Sequence, residues 1–341
     1  MKAMLLTRVF DLSYETEPLQ LAEVTVPLPA DDEVLIKVKT CGVCHTEIDE
    51  IEGRTPPPVY PVIPGHQAVG EIVGGTDLEG GLKTGDRVGV AWIYHACGQC
   101  DWCLSGQENL CPDFTATGRD ANGGYAEYIV AKKKFVFNIP DTLNDEEAAP
   151  MLCAGAIGYR SLRLSGIADG KILGLSGFGA SAHLVMKMTK YLFPHSPVIV
   201  FARSAEERQF AMELGASWAG DFSEPPPFSP HAVIDTTPVW MPVIESLKHL
   251  LPGGRLVINA IRKEHSDLSY WQKLSYPDHL WKEKEIKSVA NVAGQDVKEF
   301  LGLAGKIPIK PEVQLYPLEE ANKALLEIKQ RKIKGAKVLA I

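Results

Sequence analysis

The periodicity of the chain changes near residue 150, and that change limits the fold more than any single motif does. Before it, Glu33 to Lys39 alternates in the two-residue period of a half-buried strand, and Ala68 to Gly74 and Arg87 to Ala91 do likewise. Gly123-Gly124 precedes another strand-like stretch, Tyr125 to Ala131, and the five prolines between Thr55 and Pro64 predict a stiff extended loop. After it, short apolar strands alternate with helical spacing: strands at 171–175, 198–201, 231–235 and 255–259, helices at 180–191, 206–214 and 243–251. That alternation predicts a parallel sheet with crossover helices. The tail returns with a helix at 318–329 and a last strand at 336–341. At 341 residues the chain suits about two domains. The expected fold class is α/β, a β-rich domain beside a doubly wound parallel sheet.

Gly177-Phe178-Gly179-Ala180-Ser181-Ala182 follows the strand ending at Leu175 and opens a helix. It matches the dinucleotide fingerprint with alanine in the third small position: a tight turn at Gly177, close backbone approach to a pyrophosphate at Gly179, and helix–strand packing at Ala182. The helix N-terminus offers free N–H groups to the phosphates. The next strand ends in Phe201-Ala202-Arg203-Ser204 with no acid to grip a ribose 2′-hydroxyl. Arg203, with Arg208 one helical turn on, suits a 2′-phosphate instead, so NADP(H) is the expected cofactor over NAD(H). A charge-assisted contact of roughly 1.5–3 kcal/mol would supply about a 10- to 150-fold preference.

Four of the seven cysteines fall together as Cys97, Cys100, Cys103 and Cys111, spaced C-x2-C-x2-C-x7-C. Four clustered thiolates make a closed tetrahedral site of the kind Zn²⁺ favours. A pair of disulfides and an iron–sulfur cluster are the rival readings. The bacterial cluster run places three residues before its last cysteine, where this chain has seven. The net charge of −8 argues against a nucleic-acid surface, and the basic runs Lys132-Lys133-Lys134 and Lys329 to Lys334 are short. No apolar run approaches the ~18 residues of a membrane span, and the N-terminal apolar run is too short for a signal peptide. A reducing, cytoplasmic setting is expected, where thiols more often bind metal or catalyse than form bridges.

Further ligand-type residues are scattered: Cys41-Gly42-Val43-Cys44-His45-Thr46, Gly65-His66-Gln67, and Cys153 in Leu152-Cys153-Ala154-Gly155. Spacing alone does not join them. Together with Gly85-Asp86-Arg87-Val88, the four-cysteine lobe, Gly123 to Tyr128 and the glycine turn, they make nearly the whole chain resemble the zinc-dependent alcohol dehydrogenases of the medium-chain dehydrogenase/reductase superfamily. The resemblance implies a GroES-like catalytic domain, 1–152 completed by 293–341, with a Rossmann domain, 153–292, inserted. It implies two zinc ions per chain: a catalytic one on Cys41, His66 and Cys153, with a fourth position open, and a structural one on the lobe. It further implies that Thr46 begins a proton relay, that His45 contacts the cofactor, and that Trp92 lines the substrate pocket. The expected partner is a small alcohol, aldehyde or ketone, and the expected assembly a homotetramer or dimer.

Three positions depart from the family pattern. Gln67 stands where a carboxylate next to the histidine is usual, Asp49 where the relay commonly ends in histidine, and Ala336 where an arginine commonly meets cofactor phosphates, with Lys334 and Lys337 nearby. A polyol or sugar dehydrogenase of the same superfamily is the nearest alternative, though such relatives commonly place a carboxylate where Cys153 stands. A zinc- or nucleotide-binding protein without turnover is the alternative from another class.

Overall fold

A computed structural model describes residues 1–75, 81–330 and 335–341, so most of the basic run Lys329 to Lys334 lies outside the described residues. The chain divides into two compact units: Met1–Ala156 with Val292–Ile341, and Ile157–Asn291.

The first unit is built on a seven-stranded sheet. Its strands run in the order Val313–Pro317, Ala336–Ala340, Glu33–Val43, Ala68–Gly74, Arg87–Val90 and Val136–Asn138, with Tyr128–Lys132 also paired to Glu33–Val43. The last strand of the chain thus joins the sheet beside its longest strand, Leu339 opposite Cys41. Alternation along Glu33–Val43 buries Val34, Ile36 and Val38 and leaves Lys37 and Lys39 exposed. The register then slips between Val38 and Thr40, so that Lys39 is an extra residue against the neighbouring strand. Such a bulge inverts the alternation that follows it. Cys41 therefore turns onto the core face and is fully buried in the same apolar cluster as Ile36 and Val38.

The second unit is a six-stranded parallel sheet. Numbered within the sheet in chain order (Leu173–Ser176, Val198–Phe201, Trp218–Gly220, Ala232–Asp235, Arg255–Ile258, Glu285–Ser288), the strands lie 3-2-1-4-5-6. That is the doubly wound dinucleotide-binding order, with the strand order reversing beside the first strand. Strands 1, 2 and 4 are buried at every residue, as expected where helices cover both faces. Each buried Val, Leu or Ile contributes about 1.5–3 kcal/mol relative to exposure. The edge strand Glu285–Ser288 is exposed throughout, and its Glu-Ile-Lys-Ser sequence carries no apolar run by which sequence could find it. No helix among the described residues is long and apolar enough to cross a membrane.

Candidate active site

The four lobe cysteines converge through short turns. Their sulfurs all lie within 4.8 Å of one another, with the helical turn Asp101–Leu104 and the 3-10 turn Glu108–Leu110 between them. The Cys97 sulfur faces the amides of Gln99 and Cys100, which pull its pKa down to about 6. Burial pushes Cys103 up to about 12. A cluster of four thiols with no other donor fits a zinc ion held for structure, because no position is left for a substrate.

The second constellation is Cys44, His66 and Cys153, whose ligand atoms also lie within 4.8 Å of one another. This corrects the expected set: Cys44 stands where Cys41 was expected. The bulge in Glu33–Val43 commits Cys41 to the core, where its sulfur accepts the Gln67 amide. Cys44 lies just past the strand, as the N-cap of the helix His45–Ile51, and its sulfur accepts the Thr46 amide at 3.4 Å. His66 Nε2 is 3.7 Å from the Cys44 sulfur. Cys153 is carried on a single π-helical turn, Met151–Gly155, wedged between two α-helices. Such wide turns recur at functional sites because they displace one side chain from helical register.

His66 is placed by glycine. Gly65 has φ +98°, and a Cβ there would come within 2.3 Å of the Tyr125 ring. Gly123, Gly124 and Tyr125 donate their amides to the carbonyls of Ile63, Gly65 and Pro64, fastening the loop that delivers the histidine. His66 is 1 % exposed, and its Nδ1 lies 2.6 Å from Glu47 Oε1. Burial opposes a charge on the imidazole, but the Glu47 carboxylate and the Cys44 sulfur outweigh it and hold its pKa well above the ordinary value. Contact with Cys153, then burial, drives the Cys44 thiol well above its own. Two thiols and an imidazole whose far nitrogen rests on a carboxylate are donors of the kind a three-ligand zinc site uses, and a dication among them would displace those protons.

Glu47 was missed in the sequence. Its signal was present, because Cys44 and Glu47 have the N-cap and N3 spacing of a capping box, and Glu47 Oε2 accepts the Cys44 amide at 2.9 Å. One carboxylate therefore closes the helix and orients the ligand histidine. Gln67 is buried beside Gly42, and its backbone amide bonds the sulfur of Cys41, which lies in the core outside the trio.

Thr46 and Asp49 are buried on the same helix, and His45 is exposed at its start. Asp49 Oδ1 is engaged by Arg54 Nε at 2.5 Å. Trp92 packs on Phe114, with ring centroids 5.3 Å apart, and Arg119 sits 5.9 Å over its ring. Lys337, near the missing phosphate arginine, is buried and gives its protons to Gln314, Tyr316 and Glu327.

The glycine turn sits in the second unit as its sequence predicts. Gly177 has φ +78°, and a Cβ there would press within 3.0 Å of Thr236 and Thr237. Gly179 is the N-cap of the helix Ala180–Leu192, and nothing of the protein lies within 4 Å of where its Cβ would be. Ala180 is exposed at the head of that helix, and Ala182 is fully buried against the sheet. Phe178 turns inward onto Phe210, at 5.7 Å, so only its backbone can face a ligand. Arg203 is exposed at the end of the second strand and has no hydrogen bond or ion pair from its guanidinium among the described residues. Arg208 instead donates Nη1 to the carbonyls of Ala202 and Arg203, both at 2.8 Å, and so braces the loop. Ser204 caps the helix Ala205–Glu213 through the Glu207 amide.

Known proteins resemble this chain over most of its length. Residues 30–141 match the family described as alcohol dehydrogenase GroES-like domain. The chain is 40% identical over 332 residues to a probable alcohol dehydrogenase, AdhA, of Mycobacterium tuberculosis (strain CDC 1551 / Oshkosh), covering 96% of this chain and 94% of that one. It is 33% identical to an alcohol dehydrogenase of Geobacillus stearothermophilus, covering 95% and 96%. Among solved structures, a cobalt- and zinc-bound thermostable alcohol dehydrogenase from Pyrobaculum aerophilum superposes with a TM-score of 0.84 at 24% identity, covering 100% and 99%. A Helicobacter pylori CAD complexed with NADP(H) superposes at 0.85 and 23% identity, covering 99% and 97%. At those identities the two structures speak for the fold alone.

Proposed function

The chain belongs to the zinc-dependent alcohol dehydrogenases of the medium-chain dehydrogenase/reductase superfamily, and on that footing we propose that it is an NADP(H)-preferring enzyme interconverting alcohols with aldehydes or ketones. The observation that carries the reading is the convergent trio of half-buried Cys44 and Cys153 and buried His66, with Glu47 behind the histidine. Three protein donors leave a fourth position for a substrate oxygen, whereas the lobe leaves none. When bound, zinc supplies Lewis-acid polarisation of that oxygen, and the dinucleotide accepts or returns the hydride.

The chain's own residues do the rest. Cys44, His66 and Cys153 hold the metal, and Glu47 fixes the imidazole so that Nε2 faces the thiols. Thr46, buried two residues after Cys44, brings a hydroxyl to the same helix end and is our candidate to take the substrate's proton. Asp49 as the relay's far end would have to exchange its pair with Arg54, which makes water near His45 the simpler outlet. Trp92 offers an aromatic wall for the substrate. In the other unit, the amides from Phe178 to Ala182 would cradle the pyrophosphate, the Gly177 amide being held by the Phe201 carbonyl, and Arg203 would meet the 2′-phosphate. The lobe would hold a second zinc. The exposed edge strand Glu285–Ser288 is a natural seam for a homo-oligomer, a tetramer by family precedent. A cytoplasmic site fits the free thiols. A thiol at Cys153 counts against the polyol reading.

Chelation followed by Zn²⁺ return should abolish and restore NADP-linked oxidation of simple alcohols; full activity in metal-free protein would refute the assignment. Arg203→Asp should shift the ratio of kcat/KM values toward NAD⁺ by about 10- to 150-fold. An unchanged ratio would mean that Arg203 does not read the 2′-phosphate.

A further inference from the structure

Behind the glycine turn lies a buried charge network that no part of the dehydrogenase reading uses. Asp235 ends the fourth strand of the parallel sheet, in register with Ser176 at the end of the first. Both are fully buried, and Ser176 Oγ donates to Asp235 Oδ1 at 2.7 Å. The same oxygen accepts Thr237 Oγ1 at 2.8 Å. The other carboxylate oxygen meets Lys263, whose side chain is only 6% exposed. Lys263 Nζ also donates to the carbonyls of Thr237, at 2.7 Å, and Val239, at 3.0 Å. All three of its protons are spoken for, so it is not free to hold a ligand.

Four residues on, Asp267 makes the complementary contact. Its carboxylate accepts the amides of Trp240, at 2.8 and 3.0 Å, and Met241, at 2.7 Å, at the head of the helix Met241–His249. Between them Glu264 N donates to Pro238 O at 2.6 Å. The 259–267 segment is thus fastened along 235–241 by a cation on carbonyls at one end and an anion on amides at the other. Its first residue, Asn259, reaches Ser181 Oγ, at 3.2 Å, inside the glycine turn itself. Thr236 and Thr237 are the wall that Gly177 presses against, and Thr236 donates both its amide and its hydroxyl to Ser176 O.

We propose that the Asp235–Lys263 pair is a positioning element for the dinucleotide: it clamps the 259–267 segment onto the wall behind Gly177 and so sets the turn that receives the pyrophosphate. This rests on the dinucleotide reading of the turn. Lys263 touches no ligand; it acts through Thr237 and Val239. Because the clamp lies behind the turn and away from Arg203, its loss weakens NADPH and NADH alike, which separates it from the residues that choose between them.

The test uses the full zinc-loaded chain, with NADPH and NADH binding followed by dinucleotide fluorescence, beside Tm and steady-state kinetics. Lys263→Met is expected to raise both dissociation constants by roughly 10-fold or more, by analogy with partners that orient a binding group from behind. The change should appear in the dinucleotide KM and not in kcat. The double variant Asp235→Asn/Lys263→Met removes both buried charges, so it should recover the Tm lost by leaving one charge unpaired but not the affinity. Recovery of affinity together with Tm would make the pair a stability element and overturn the proposal. Where Lys263→Met does not fold, Thr237→Val, which removes one hydroxyl from the network, is read by the same criteria. Wild-type protein that binds neither dinucleotide would overturn the reading of the turn; wild-type binding with unchanged constants in every variant would overturn the clamp alone.

Discussion

The two cysteine constellations solve the same coordination problem in opposite ways. The lobe draws four ligands from residues 97–111, held by turns that need little of the rest of the fold. The trio draws three from a helix cap at Cys44, a glycine-shaped loop at His66 and a π-helical turn at Cys153. Their environments differ accordingly. Loop amides lower Cys97 to about 6, while crowding by Cys153 and burial raise Cys44 well above the ordinary thiol range. In the local site the loop amides favour a thiolate at Cys97, while burial disfavours one at Cys103. A site assembled across the fold stays open at one position and depends on a buried carboxylate, Glu47, for its geometry. On the proposed assignment, ligand density in sequence marks the site that holds the fold, and the site for chemistry is the dispersed one.

The sharpest way to break this comparison is to exchange the two cysteines of the Cys41-to-Cys44 pair. Cys44→Ala should lower kcat/KM by more than the roughly 10–100-fold that loss of a ligand's supporting partner costs. Cys41→Ala should leave turnover near wild type and show only a modest fall in Tm. Equal losses in both would mean that the trio is not the catalytic ligand set. Next in size is the lobe. Cys103→Ser should release one zinc per chain, measured by metal analysis, and lower Tm steeply, since structural zinc can supply on the order of 10 kcal/mol. A variant that keeps its zinc content would remove the lobe as a metal site. Glu47→Gln keeps the helix cap but not the charge on His66. Activity or zinc affinity should drop roughly 10–100-fold while lobe zinc is retained. The smallest effect is one of rate. In metal-stripped protein at pH 7 the Cys97 thiol lies above its pKa of about 6 and is thiolate, whereas Cys44 stays protonated. Alkylation followed by peptide mapping should therefore label Cys97 ahead of Cys44, and the reverse order would contradict the two environments.

Much of the fold was legible because its signals are local. The alternation of Val34, Ile36 and Val38 with Lys37 and Lys39 marks a strand wherever the chain places it. The glycine turn needs only a strand before it and a helix after it. Glu285–Ser288 was not legible, since an edge strand exposed on all its residues has no apolar pattern to read. Nor was the π-helical turn at Cys153, because Met-Leu-Cys-Ala-Gly fits an α-helix equally well. Arg208 shows the same limit at the cofactor end: its type and spacing suggested a phosphate contact, but strand-end carbonyls claim its guanidinium.

The sequence by itself determined the class of chemistry. A four-thiol lobe, a glycine turn without a following acid, and scattered cysteine and histidine in family order specify zinc and a dinucleotide wherever they fold. Only the tertiary structure decided which cysteine lies beside His66 and Cys153. A bulge of one residue at Lys39 inverts the face of everything after it, sending Cys41 into the core and leaving Cys44 to the helix cap. A residue's type is carried by the chain, but the direction in which it points depends on register, and register is set by the neighbouring strand.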